Sequence, residues 1–178
     1  MQARRLKYAM IGGAKGSFIG PVHRMAIRLD DLADLEAACF SRNMDDNLSA
    51  ARNCGVAEDR VYSDWLSLIE GEKSRIDFIA VCTPNDSHYA ITKAALEAGL
   101  DVMCEKPLAL KRSEIEDIIA AANKSDKKFM VGQICRFTPA FVQAKKYIDE
   151  GKVGDLYYVE SEYAHDYQHM FEANPTNW

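Results

Sequence analysis

The run from Ile76 to Pro107 constrains this chain most, because two apolar, strand-like segments there each end in a polar triplet. The first reads Asp77-Phe78-Ile79-Ala80-Val81-Cys82 and then Thr83-Pro84-Asn85, with His88 one helical turn on. The second reads Asp101-Val102-Met103-Cys104 and then Glu105-Lys106-Pro107. Short apolar runs separated by a helical segment suit neighbouring strands of a parallel sheet. The carboxyl ends of such strands open onto one crevice, where α/β sheets keep their ligands. Both triplets are therefore expected to face one ligand, with Lys106 held by a proline-locked turn as an acid/base residue.

The N-terminus supplies the context. Leu6 to Ile11 reads as a buried strand running into Gly12-Gly13-Ala14-Lys15-Gly16-Ser17-Phe18-Ile19-Gly20. A helix follows, with Ile19, Val22, Ala26, Ile27 and Leu29 at helical spacing and a stop near Asp30-Asp31. Glycines let the chain turn tightly and bring backbone N–H groups against a pyrophosphate, which the helix N-terminus then stabilises. The spacing departs from the plain G-x-G-x-x-G fingerprint, since Gly12, Gly16 and Gly20 are four apart. Position argues for the reading: first strand, first turn, first helix.

Strands and helices alternate along the rest of the first three quarters. Strands are expected at Leu35–Phe40, Arg60–Tyr62, Asp77–Thr83, Asp101–Cys104 and Phe129–Gly132, and helices at Asp45–Cys54, Asp64–Glu70, Asp86–Ala98 and Ser113–Asn123. With the first strand that makes six strands in an α/β, doubly wound parallel sheet joined by right-handed crossovers. Beyond Gln133 the character changes: Pro139–Glu150 reads as an amphipathic helix, Gly151–Gly154 as a turn and Asp155–Tyr163 as a half-buried strand.

Composition narrows the class of function. A hydrophobic share of 48% and a charged share of 28% are those of a globular protein. A net charge of -5 leaves no basic stripe, so nucleic acid is not an expected partner. No apolar run is long enough to span a membrane. The five cysteines, Cys39, Cys54, Cys82, Cys104 and Cys135, lack C-x-x-C spacing and read as core residues of a reducing compartment. No metal site is expected; His165 and His169, four apart with Asp166 between, lie in a segment that alternates like a strand.

Taken together, the glycine-rich turn, Thr83-Pro84-Asn85 with His88, Glu105-Lys106-Pro107, Arg136-Phe137-Thr138-Pro139 and Gly151-Lys152-Val153-Gly154 resemble the Gfo/Idh/MocA oxidoreductases in order and spacing over nearly the whole chain. The extended loop followed by Pro21-Val22-His23 is similar to one branch of that family. The resemblance implies a Rossmann domain over residues 1–134 and the beginning of an α+β substrate and oligomerisation domain over 135–178. It implies a cytoplasmic, homo-oligomeric, NAD(P)-dependent dehydrogenase acting on a secondary hydroxyl of a sugar, cyclitol or sugar derivative. Gly12, Gly13, Gly16, Ser17, Phe18, Ile19 and Gly20 would then hold the pyrophosphate. Thr83, Pro84 and Asn85 would line the ribose-diphosphate side, Glu105 the ribose or nicotinamide side, and Lys106 would stand by the reacting hydroxyl, with Arg136 reaching toward substrate. His88 fits a ligand contact and a capping or packing role equally. The resemblance also suggests a cis Lys106–Pro107 bond. An ordinary lysine is a poor base at neutral pH, so partial burial and the positive nicotinamide would have to favour its neutral form.

Cofactor choice is read at the end of the second strand, where sites that prefer NAD place an acid. Ser41-Arg42-Asn43 stand there instead, which suits a 2′-phosphate and leans to NADP, although Asp45 and Asp46 lie close by. The family's later glycine-rich motif with an Asp and a His is not found, and Asp166 and His169 come too early to replace it. The chain is therefore expected to be the N-terminal portion of a longer enzyme and catalytically incomplete alone. The alternatives are an inactive fragment and a non-catalytic dinucleotide-binding or redox-sensing module.

Overall fold

The computed structural model describes residues 4–14 and 16–164. Two compact units separate, Met1–Gly132 and Gln133–Trp178. The first is built on β1 (Leu6–Gly12), β2 (Ala33–Cys39), β3 (Phe78–Cys82), β4 (Asp101–Cys104) and β5 (Phe129–Val131). All neighbours pair parallel, in the order β2-β1-β3-β4-β5. Helices α1 (Ile19–Leu29), α2 (Met44–Cys54), α3 (Trp65–Glu72), α4 (His88–Glu97) and α5 (Arg112–Lys124) lie in the crossovers. From β1 the chain goes outward to β2, then returns across β1 to β3, so the strand order reverses beside β1. That reversal is where an open α/β sheet forms its ligand crevice.

Period-two alternation divides the core between the two faces. Ala9, Ile11, Ile79, Val81, Val102 and Cys104 pack with Leu68 and Ile69 of α3, Ile91, Ala95 and Leu96 of α4 and Ile118 of α5. Tyr8, Met10, Ala38, Phe40, Ala80 and Cys82 pack with Ala51 of α2 and with Ile19 and Ile27 of α1. A sheet covered on both faces explains why its strands read as nearly continuous apolar runs. Each fully buried Leu or Ile contributes about 1.5–3 kcal/mol, so the two layers together dominate the stability of this unit.

The expected sixth strand is absent. Val61 makes a single parallel bridge to Ala38. Side chains hold this segment instead of a ladder: the buried Asn47 accepts from the Phe40 N–H at 2.8 Å and donates to the Tyr62 carbonyl at 2.7 Å. Arg60 turns away to Glu72. The helix expected from Asp86 starts at His88, because Asn85–Ser87 form a 3-10 turn first. Ser87 donates its N–H and its hydroxyl to the Pro84 carbonyl. Asp64 caps α3, accepting from the Ser67 N–H at 2.8 Å.

The second unit holds a 3-10 turn at Ile134–Phe137 and α6 (Pro139–Asp149). Pro139 sits in the first turn of α6, where its missing N–H costs nothing. The strand expected at Asp155–Tyr163 is not formed; these residues carry no ladder. Alternation alone makes no strand, because a strand needs an edge to pair with. Tyr157, Tyr158 and Val159 are exposed.

Candidate functional site

The turn after β1 requires glycine at two places for two different reasons. Gly12 has φ 82°, and a Cβ there would lie 2.4 Å from the Cys82 carbonyl oxygen on β3. Gly20, in the first turn of α1, would set a Cβ 2.4 Å from the Gly13 Cα, so strand end and helix start touch backbone to backbone. These are the tight-turn and close-packing roles of the dinucleotide fingerprint, filled here from a longer loop. Between them, a Cβ added at Gly16 meets nothing within 4 Å, leaving an open cradle over the helix end. The first turn of α1 has no acidic residue and Phe18 provides no side-chain cap. Ser17 accepts from the Gly20 N–H at 3.2 Å. Such a positive helix end favours an anion, so the residues fit a pyrophosphate.

Arg24 was not singled out in the sequence, yet it ties this loop down. It donates to the Gly13 carbonyl at 3.0 Å, and its guanidinium lies 5.3 Å from the Phe40 ring centre just past β2. Ser41 and Arg42 follow Phe40, with Arg42 exposed. Ser41 accepts from the Asn43 N–H at 3.1 Å, and Asn43 caps α2 through the N–H groups of Asp45 and Asp46.

The two triplets come together at the same sheet edge. Val81 and Cys104 are register partners on β3 and β4, and the Glu105 N–H donates to the Val81 carbonyl at 3.0 Å. His88 joins them: its ring nitrogens lie 2.8 Å from the Thr83 carbonyl oxygen and 2.7 Å from the Pro107 carbonyl oxygen. The Lys106–Pro107 peptide is cis. Lys106 itself is exposed, so the burial expected for it is not supplied by the described residues around it. Asn85 is half-buried and Pro84 exposed.

Glu105 is buried, and its carboxylate accepts from His23 Nε2 at 2.6 Å and from the Lys106 N–H at 3.1 Å. Burial works to raise its pKa. The His23 bond, the Lys106 N–H and the Lys106 charge outweigh that and hold the carboxyl below its ordinary value. Gly132 closes over this group, since a Cβ there would lie 2.6 Å from Glu105 Oε1. His23 was noted only within Pro21-Val22-His23 and given no role, because a lone histidine inside a helix gives no periodic signal. The Gly20-His23-Ile27 stripe, which faces the sheet, is a further clue.

Arg136 lies exposed in the 3-10 turn of the second unit. His165, Asp166 and His169 fall outside the described residues. Among the described residues no cluster of His, Cys, Asp and Glu is arranged to hold a metal ion. Burial pushes the Cys39 and Cys104 thiols up to about 11 and the Cys82 thiol up to about 12, so all three are neutral core residues. No helix of the described residues is long and apolar enough to cross a membrane.

Comparison with known proteins agrees with this geometry. The model of the GFO_IDH_MocA oxidoreductase family, with an NAD-binding Rossmann fold, matches residues 6–133. An uncharacterized oxidoreductase, YfiI of Bacillus subtilis, is 34% identical over 93% of this chain and 43% of its own length. Levoglucosan dehydrogenase of Pseudarthrobacter phenanthrenivorans is 32% identical over 98% of this chain and 45% of its own. A crystal structure of an inositol dehydrogenase homolog from Azotobacter vinelandii, complexed with NADH and myo-inositol, superposes with a TM-score of 0.81 at 35% identity, covering 86% of this chain and 41% of that one. The chain thus spans less than half the length of these relatives.

Proposed function

The chain belongs to the Gfo/Idh/MocA oxidoreductase family, and from that premise we propose that it carries the cofactor-binding part of an NAD(P)-dependent dehydrogenase acting on a secondary hydroxyl of a sugar, cyclitol or related polyol. The observation that carries the reading is the meeting of three turns at one sheet edge: the glycine loop after β1, Thr83-Pro84-Asn85 after β3 and Glu105-Lys106-Pro107 after β4. The names of the relatives support the substrate class, one being a levoglucosan dehydrogenase and another complexed with myo-inositol.

When bound, the nicotinamide supplies the hydride chemistry. The chain supplies position and proton handling. Gly12, Gly13, Gly16, Ser17, Phe18, Ile19 and Gly20 cradle the pyrophosphate over the start of α1, while Thr83, Pro84 and Asn85 line the ribose-diphosphate side. Lys106 Nζ takes the proton of the substrate hydroxyl. Glu105 lies on the ribose or nicotinamide side, with its carboxylate anchored by His23. Arg136 is the candidate substrate contact from the second unit, which we read as the start of the substrate domain. Ser41 and the exposed Arg42 favour a 2′-phosphate and hence NADP, a charge-assisted bond being worth about 1.5–3 kcal/mol. A homo-oligomer in the cytoplasm completes the proposal.

The test has two arms. The chain as given should bind reduced cofactor in a fluorescence titration. A form extended to the length of its relatives should oxidise members of a panel of cyclitols and sugars, and Lys106→Ala should lower its kcat by about a hundredfold or more with cofactor affinity unchanged. Tight cofactor binding with no turnover of any polyol by the extended form would instead favour a dinucleotide-sensing module.

A further inference from the structure

Both ring nitrogens of His88 meet backbone carbonyls, Nδ1 at 2.7 Å from the Pro107 oxygen and Nε2 at 2.8 Å from the Thr83 oxygen. The ring is 1% exposed. A peptide carbonyl has no proton to give, so at each contact the ring nitrogen must be the donor. A neutral imidazole has one N–H only. It would set a lone pair against a carbonyl oxygen at one of the two part-buried contacts, which leaves two acceptors facing each other. Neither bond is a cap of the ring's own helix: one partner lies five residues before His88, the other nineteen after it.

We propose that His88 is held as an imidazolium that cross-links the two polar turns and thereby acts as a positioning residue for Lys106 and for the Thr83-Pro84-Asn85 loop. The cross-link stands on the geometry alone; its catalytic consequence rests on the dehydrogenase reading. The ionisable groups on the segments that meet the ring are Cys82 at the end of β3, Asp86 in the turn before α4, and Cys104, Glu105 and Lys106 around the end of β4. Burial keeps both thiols neutral, Asp86 is exposed, and the Glu105 carboxylate is engaged by His23. The positive end of α4 opposes a charge at its first residue, and the two charge-assisted bonds favour it. The carbonyls are thus the groups that hold the proton in place. Through them, one buried ring fixes the spacing between the turn that carries Lys106 and the turn proposed to line the ribose-diphosphate.

The deciding measurement is the nitrogen spectrum of the chain with ¹⁵N-labelled histidine at about pH 8, well above the ordinary histidine pKa of about 6.5. The expected result is a histidine with both ring nitrogens protonated that disappears in His88→Gln. If that variant does not fold, the same signal should persist in His23→Gln, His165→Gln and His169→Gln. An unprotonated nitrogen on His88 would overturn the cross-link. For the positioning role, saturation with reduced cofactor should shift both His88 nitrogens, and His88→Gln with an unchanged melting curve should bind cofactor about tenfold more weakly. His88 signals that ignore the cofactor, or a folded variant with unaltered affinity, would overturn it. Failure of the unmutated chain to bind either cofactor would defeat the dehydrogenase reading and leave the nitrogen spectrum to decide the cross-link separately.

Discussion

Glu72 is fully buried and yet charged, because three side chains reach it: Arg60 at 3.1 and 2.5 Å, Tyr62 at 2.9 Å and Arg75 at 3.3 Å. Burial pulls its pKa upward, and these donors outweigh the pull and hold it below the ordinary value. Arg60 also pairs with Glu36. Removing one member of such a group strands the other, so Glu72→Ala should cost about 3–5 kcal/mol, read as a lower urea midpoint. Asp77 is a milder case. The Arg4 guanidinium, with the Lys7 N–H at 2.7 Å, holds its carboxyl down to about 2 despite partial burial. A carboxyl depressed in the folded state stabilises above its unfolded pKa of about 3.9 and loses that contribution as pH falls from there toward 2. Arg4 is largely exposed, so solvent screening reduces the effect to roughly 1 kcal/mol. Asp77→Asn should remove that much at neutral pH and flatten the loss of stability between about pH 4 and pH 2 in acid titrations followed by circular dichroism. At this scale the sequence spoke unevenly. Lys106, Thr83 and Glu105 were legible because strand ends of an α/β sheet are where ligands sit. The contacts of His23, Arg24 and Asn47 were not, because their partners lie outside their own helices, seven to eighty-two residues away, and no residue pattern announces them.

The elements that build the site are more legible than the residues that tune it. Strands β1 to β5 were foreseen as apolar runs because helices cover both faces of the sheet, and the helices were foreseen from their apolar spacing. The failures share one cause: Arg60–Tyr62 and Asp155–Tyr163 have strand-like side chains, but pairing depends on an available edge, which a single segment does not encode. The junction of β1 and α1 carries the sharpest mechanical demand. In Gly20→Ala the new Cβ would stand 2.4 Å from the Gly13 Cα, so α1 must move off the strand. The expected cost is about 1–3 kcal/mol in chemical denaturation, together with loss of cofactor binding. Gly55→Ala is the control. Its φ of 75° disfavours a side chain, unlike the helical backbone of Gly20, but a Cβ there meets nothing within 4 Å. It should cost about 1–2 kcal/mol at the end of α2 and leave cofactor binding unchanged.

On the level of the whole molecule, three consecutive strand ends deliver chemistry to one edge of a single sheet, while α1 and His88 tie those ends together. The glycine loop follows β1, Arg42 follows β2 and Lys106 follows β4. The described part of the second unit holds a 3-10 turn, a helix and an exposed segment without a ladder. Family membership adds the class of chemistry, and the proposed polyol substrate follows from relatives whose full lengths are more than twice what this chain covers. The proposed lean to NADP rests on the residues beside β2: Arg42→Ala should weaken NADPH binding about tenfold and leave NADH binding unchanged, and equal effects on both would remove the argument for a 2′-phosphate. Fluorescence titration of residues 1–178 with NADPH and NADH tests the cofactor-binding crevice most directly. The crevice described here predicts a saturable signal that Gly20→Val abolishes, whereas an unmutated, folded chain that gives no signal with either nucleotide would contradict it.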